Sequence, residues 1–416
     1  MKKKKIVFVI NYFYPDFAST GQLLTELCLD LQNDFEITVI AAQPGYAGEQ
    51  IKTNKLFEKD YLEYIKVIRI RLPKVDKASK FSRMRYIFSY FMLANFALWK
   101  EKGVDAIYTI SQPPVLGGLI GTIGKFLKRS KHIYNIQDFN PEQAAAVSYT
   151  NKQSIFKLAK KVDMLSCSYS DCVIVVGNDM SETLKKRFDN KKVPNHVVIN
   201  NWTNEDEIIP FDKKDVHIQQ FLKENDLQNK FIIMYSGNIG LYYDLENIIR
   251  VTEHFKRYED LAFVFIGEGA VKQEMQSFVE EKEISNVHFL PYQPKEFIKY
   301  SLNAADVHLV VNQKGIKGVS VPSKIYGVMA AGKPILGVLE QGSEAQMLIA
   351  KGKCGVVVEP QDYRGIIEQI EYLYKMEKEK LLHVGFNGRD YLDKNLKREI
   401  SINKYRKTLN RIFNLD

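Results

Sequence analysis

The stretch Phe231-Ile232-Ile233-Met234-Tyr235-Ser236-Gly237-Asn238-Ile239-Gly240 decides the fold. Phe231–Tyr235 is a short apolar run that ends on a polar, glycine-bearing loop, and Leu245–Tyr258 after it carries a helical pattern. That order predicts a buried strand, a tight loop and a covering helix. The chain opens in the same way. Ile6–Ile10 leads through a loop to Gly21 and into a helix at about Thr20–Leu31. Two halves that start alike predict two Rossmann-like α/β units, with ligands beyond the carboxyl ends of the strands.

Working outward, short β-branched runs alternate with helical stretches over both halves. Ile37–Ala41, Ile65–Ile70, Ala106–Ile110, His132–Ile136, Cys172–Val176 and His196–Ile199 complete the first sheet. Ala262–Ile266, Val287–Leu290, Val307–Val310, Ile335–Val338 and Gly355–Val357 complete the second. The expected division is residues 1–205, residues 206–387, and a charged helical tail, 388–416, that crosses back to the first domain. A chain of 416 residues exceeds one ordinary core, which agrees with two domains.

Composition narrows the classes. Hydrophobic content of 45% with 26% charged residues describes a globular chain rather than a disordered one. The four cysteines, Cys28, Cys167, Cys172 and Cys354, lack the spacing of a metal site and read as reduced thiols of a cytoplasmic protein. The opening MKKKKIVFVINYFYP reads as a strand with a basic flank, not a signal peptide. No run reaches the ~18 apolar residues that span a bilayer.

The net charge of +9 is uneven. Residues 1–205 hold 30 Lys+Arg against 20 Asp+Glu, and the remainder 29 against 30. A basic half fits a polyanion or an anionic membrane. No helix-turn-helix, zinc finger or RNA-binding signature is present, so nucleic acid is not an expected partner. Phe81 to Leu93 mixes aromatic residues with Arg83 and Arg85, the composition of an interfacial helix.

Several loops carry candidate chemistry. In Val319 to Ile335, Pro322 and Ser323 suit the start of a helix and Gly332 its end. Lys324 in the first turn makes sense if an anion such as a diphosphate sits at that helix start. Gly237 and Asn238 lie in a loop whose N–H groups could meet phosphate oxygens. Gly267, Glu268 and Gly269 end another strand, where a ribose or base could approach the backbone, and Tyr292 follows Leu290 at the next strand end. In the first half, Gly21 begins the first helix and Asp138 follows His132–Ile136 directly, placed to bind a hydroxyl or act as a base. P-loop, Asp-x-Asp and His-Glu-x-x-His signatures are absent, so neither a P-loop nor a metal site is expected, and no cofactor.

In order and spacing these pieces resemble the GT-B retaining glycosyltransferases of family 4 over nearly the whole chain. The nearest likeness is to bacterial enzymes of capsule, O-antigen and colanic-acid assembly, including fucosyl- and N-acetylfucosaminyltransferases. The matching stretches are Tyr14-Pro15, Ser19-Thr20-Gly21-Gln22, Gln137-Asp138, Asn201-Trp202, Ser236-Gly237-Asn238, Gly267-Glu268-Gly269 and Pro322-Ser323-Lys324 with Ala331-Gly332-Lys333-Pro334. The resemblance implies two Rossmann-like domains facing across a cleft. It also implies a metal-independent transfer with retention, from a nucleotide-sugar donor (UDP- before GDP-) to a lipid-diphosphate-linked glycan, at the inner face of the plasma membrane.

Departures from the family pattern bear on the site. Where the family has two glutamates eight apart, Val319 and Gly327 stand here. Where many members carry an Arg and a Lys that grip the diphosphate, Asn238 and Tyr243 stand. Lys324 is therefore expected to serve the diphosphate, and Glu344, in the loop after Ile335–Val338, the ribose. Those losses also leave open a non-enzymatic nucleotide-sugar binder, and the scaffold an epimerase.

Overall fold

A computed structural model describes residues 2–16, 19–44, 55–75, 79–146 and 153–415. The chain forms two compact units. The first comprises Met1–Ala145, Thr150–Asn200 and Ile402–Asp416, and the second Ala146–Tyr149 and Asn201–Ser401.

The first unit holds β1 (Lys5–Val9), β2 (Glu36–Ala42), β3 (Phe57–Leu62), β4 (Ile65–Ile70), β5 (Ala106–Ile110), β6 (Lys131–Ile136), β7 (Cys172–Val175) and β8 (His196–Val198). They form one sheet in the order β3-β4-β2-β1-β5-β6-β7-β8. All pairings are parallel except β3 with β4. The apolar runs predicted as strands are strands, because a parallel sheet covered by helices needs residues that are apolar on both faces. β3 escapes that pattern. Its sequence FEKDYL is half-exposed and charged, as suits an antiparallel edge that must not recruit another strand.

The second unit holds β9 (Phe231–Ser236), β10 (Leu261–Ile266), β11 (Val287–Leu290), β12 (Val307–Val311), β13 (Ile335–Val338) and β14 (Gly355–Val358), in the order β11-β10-β9-β12-β13-β14. Every residue of β10 is buried. The order reverses between β9 and β12, and in the first unit between β1 and β5. Connections leave in opposite directions at such a point, which opens a crevice at the carboxyl ends of the two strands.

The units divide at Asn200/Asn201, not at 205/206, and the chain returns to the first unit at Ile402, not at 388. Close packing explains the later return. The helix Lys378–Asn395 presses Gly385 and Gly388 onto the second unit. A Cβ at Gly385 would lie 2.1 Å from the Gly332 carbonyl oxygen, and one at Gly388 2.8 Å from Cys354 Cβ. Arg389 adds hydrogen bonds from Nη1 to the carbonyls of Glu205, Ile208 and Ala330. The Gly385→Ala variant, whose new methyl must displace backbone, should lose about 1–3 kcal/mol of stability in urea unfolding of the whole chain; an unchanged midpoint would contradict this packing.

Candidate functional site

The crevice between β9 and β12 is built from three loops. The loop after β9 carries Gly237 and Asn238, that after β10 carries Gly267 to Gly269, and that after β12 runs into the seven-residue helix Lys324–Ala330. The first two loops pack backbone against backbone. Gly237 and Gly267 have φ of +146° and +142°. A Cβ at Gly267 would stand 1.9 Å from the Gly237 oxygen, and one at Gly269 2.0 Å from the Ile239 oxygen. Ile239 N–H also donates to the Glu268 carbonyl at 2.9 Å. Gly267 and Gly269 therefore make room for the neighbouring loop, where sequence had assigned them to a ligand's approach.

Lys324 occupies the crevice wall. Its Nζ donates to the Tyr235 hydroxyl at 2.7 Å and lies 3.9 Å and 4.3 Å from the ring centroids of Tyr235 and Tyr243. The Tyr235 hydroxyl in turn donates to the Asn238 carbonyl at 2.6 Å. The lysine stem reaches Gly237, where a Cβ would lie 3.3 Å from Cε. Burial pulls the ammonium pKa down to about 7. The two ring faces work the other way, since a cation over an aromatic face is stabilised by ~0.5–2 kcal/mol. An ammonium has three donors, and one goes to Tyr235. The arrangement is a poorly hydrated cation held in place at a strand switch point, with two of its donors free to meet an anion on chemical grounds. Tyr243 thus supports a lysine that comes from another loop.

The helix start carries no side-chain cap. Ser323, at its N-cap position, has helical backbone angles, an exposed side chain and no capping hydrogen bond, and seven residues give a small dipole. Pro322 before it is buried. The helix end does follow the sequence. Gly332, at φ +62°, donates to Met329 O and Lys333 N–H to Val328 O, the paired bonds of a glycine-terminated helix.

Glu268 and Tyr292 flank the crevice. The exposed Glu268 pairs with Lys272 at 2.7 Å, and Lys272 also donates to the Gly267 carbonyl. Tyr292 is half-exposed, with its ring edge 3.4 Å from where a Gly267 Cβ would be. Glu344 opens the helix Glu344–Gly352 after β13 and is buried, and its charge helps burial raise the Tyr391 phenol pKa. The loops after β12 and β13 are clasped together, as Glu340 Oε2 accepts from the Gly315 and Lys317 amides at 2.8 and 3.0 Å. Beside Glu344, the buried Ser343 Oγ has no hydrogen-bond partner among the described residues.

Gly21 and Asp138 lie in the first unit. Gly21 packs on Tyr12, whose backbone would stand 3.2 Å from a Cβ, so the absence of a side chain here serves helix packing. Asp138 begins the loop after β6. Its amide and that of Gln137 donate to Ser111 Oγ at 3.2 and 3.1 Å, and Gln143 Nε2 to its Oδ1 at 3.4 Å. The loop is pinned by Arg187, buried 4.0 Å over the Phe139 ring and bonded to Glu142 and Asp163. Burial opposes the guanidinium charge, and the two carboxylates outweigh it and raise its pKa. Sequence reading passed over Arg187, Tyr235 and the support from Tyr243, since nothing local marks them. A groove of about 530 Å³ lies elsewhere in that unit, at the amino ends of β1, β5, β6 and β7, and holds no candidate residue. No group of three or more His, Cys, Asp or Glu suited to a metal occurs among the described residues.

Comparison with known proteins bears on the fold and the class. Residues 217–391 match the family described as Glycosyl transferases group 1. The chain is 26% identical over 96% of both chains to a protein of Pseudomonas aeruginosa named as a glycosyltransferase, WbjE. It is 25% identical to one of Escherichia coli (strain K12) named as a colanic acid biosynthesis glycosyl transferase, WcaI, over 95% of this chain and 97% of that protein. Among solved structures, sucrose-phosphate synthase of Thermosynechococcus elongatus superposes over both full chains with a TM-score of 0.78 at 15% identity. Anabaena HepE in complex with UDP and glucose superposes with 0.70 at 13%, over 98% of this chain and 99% of that one.

With its pKa near 7, Lys324 should make UDP affinity fall as pH rises from about 7 to 9, by at most about tenfold per pH unit, because only the ammonium form attracts phosphate. The UDP phosphate is already ionised there, and Lys324→Arg, which stays charged, should flatten the profile in calorimetric titrations. A flat profile for the parent would contradict the assignment. The chain has the GT-B fold, carries a Glycosyl transferases group 1 domain in its second unit, and falls in the glycosyltransferase class of enzymes.

Proposed function

We propose that the chain moves a sugar from a nucleoside-diphosphate sugar, UDP- before GDP-, to a lipid-diphosphate-linked glycan in bacterial surface polysaccharide synthesis, with retention of configuration. The carrying observation is the Lys324 ammonium set against Gly237 at the β9/β12 switch point. The name of the Escherichia relative, a colanic acid biosynthesis glycosyl transferase, supports the polysaccharide context, and UDP in the HepE complex supports the base. Retention rests on the resemblance alone.

In this proposal Lys324 meets the diphosphate and neutralises the charge that grows on it as the glycosidic bond breaks. Electrostatic stabilisation of the leaving group is the main catalytic term. The acceptor hydroxyl attacks from the face that the diphosphate leaves, and its proton passes to an oxygen of the departing diphosphate. Asp138 orients the acceptor or the donor sugar, Glu344 takes the ribose hydroxyls, and the half-exposed Tyr292 offers a ring for the base. The place of work is the inner face of the plasma membrane, where such donors and lipid-linked acceptors meet.

The test is a panel of UDP- and GDP-sugars, scored for binding and then for turnover with membrane lipid extract. Transfer is expected with a UDP-sugar. Lys324→Met should lower kcat by about 10²–10³, the cost of losing one preorganised donor to a developing charge. Glu344→Gln should weaken donor binding by about tenfold. Binding without turnover would point to a non-enzymatic nucleotide-sugar protein, and conversion of donor without acceptor to an epimerase.

A further inference from the structure

The first unit presents an apolar face where a surface helix is ordinarily polar. On the helix Lys80–Lys100, Phe81, Met84, Phe88, Met92, Phe96 and Trp99 are all exposed. Their spacing of three and four residues puts them on one stripe, ~30 Å long at 1.5 Å per residue. The opposite side of the helix, Tyr90, Ala94, Ala97 and Leu98, is buried in the core. The stripe is therefore not the packing face, and among the described residues the Phe57 ring, 5.6 Å from that of Phe96, meets it at one end only.

Two neighbouring helices repeat the pattern. On Gln153–Tyr169, Ile155, Leu158, Leu165 and Tyr169 are exposed along one side, and Leu116–Lys128 between them ends in exposed Phe126 and Leu127. The three are tied together at their carboxyl ends. Lys128 Nζ donates to the Trp99 carbonyl, Lys125 Nζ to the Tyr169 carbonyl at 2.9 Å, and the Phe126 and Tyr169 rings meet edge-on at 5.4 Å. Trp99, Phe126 and Tyr169 thus gather at one end of a continuous surface. Apolar exposure on this scale marks an interaction site.

Charge decides the occupant. The three helices hold four, two and three Lys or Arg and one acid, Asp163, which is buried against Arg187. The Lys100 ammonium lies over the Phe96 ring, 4.4 Å from its centroid, which sets a cation directly on the apolar stripe. Lys125 is paired with Asp171 and Lys160 with Glu142, so the charge offered rests on exposed Arg85, Lys157 and Lys161, and a second copy docked here by a twofold axis would set these cations against cations. Anionic headgroups neutralise them, and acyl chains receive the Phe, Met and Trp side chains. No helix among the described residues is long and apolar enough to cross a membrane, so the mode is one of lying on the surface.

We propose that the outward faces of the Lys80–Lys100, Leu116–Lys128 and Gln153–Tyr169 helices dock the chain on an anionic lipid bilayer. This gives a surface to the membrane contact in the proposed function and does not depend on the donor site. The test is flotation of the full chain with phosphatidylcholine vesicles, with and without phosphatidylglycerol. The parent is expected to float only with the anionic vesicles. Phe88→Glu with Met92→Glu should cut partitioning by more than about tenfold, and Arg85→Ala and Lys161→Ala by about fivefold each. UDP binding by the second unit should be unchanged in all of them, which separates failure of this face from failure of the donor site. A parent that does not float, or a Glu pair that floats as well as the parent, overturns the proposal. So does a parent dimer, seen by light scattering, that the Glu pair splits without any flotation.

Discussion

A lysine ammonium taken out of water and laid on two tyrosine rings is the interaction on which the candidate site depends. Withdrawing such a charge from water costs free energy, and Lys324 feels that cost as a lowered pKa. The Tyr235 and Tyr243 rings and one phenolic oxygen offset it in part. In the proposed function a diphosphate completes the compensation, because opposite charge in a poorly hydrated place attracts more strongly than in bulk water. The protein thus keeps its cation in a state that favours an anion without leaving it mobile.

The fold supplies the place. A parallel sheet must reverse its order somewhere, and in the second unit it does so between β9 and β12. Tyr235 stands near the end of β9, and Lys324 begins the helix reached from β12. The pair are 89 residues apart and 2.7 Å from each other. The glycines of the β9 and β10 loops let two backbones touch beneath them. Any side chain at Gly267 would push the two loops apart and move the wall against which the lysine rests.

Much of this was legible in the residues, and the reasons for success and failure are physical. Strands such as Leu261–Ile266 announce themselves because burial on both faces demands apolar residues throughout. The edge strand Phe57–Leu62 hides because its charges protect it, and the helix Asn140–Ala146 because it is only two turns long. Lys324 could be named, since a lysine in the first turn of a helix is unfavourable unless an anion is near. Its tyrosine partners could not, as no periodicity links distant loops. The tail boundary slipped because a charged helical pattern does not say which unit its glycines pack on.

The most direct measurement is a crystal structure of the chain with UDP. The account expects β-phosphate oxygens within hydrogen-bonding distance of Lys324 Nζ, with the diphosphate lying along Gly237. A well-ordered UDP bound elsewhere, with Lys324 still facing only its two tyrosines, would contradict it.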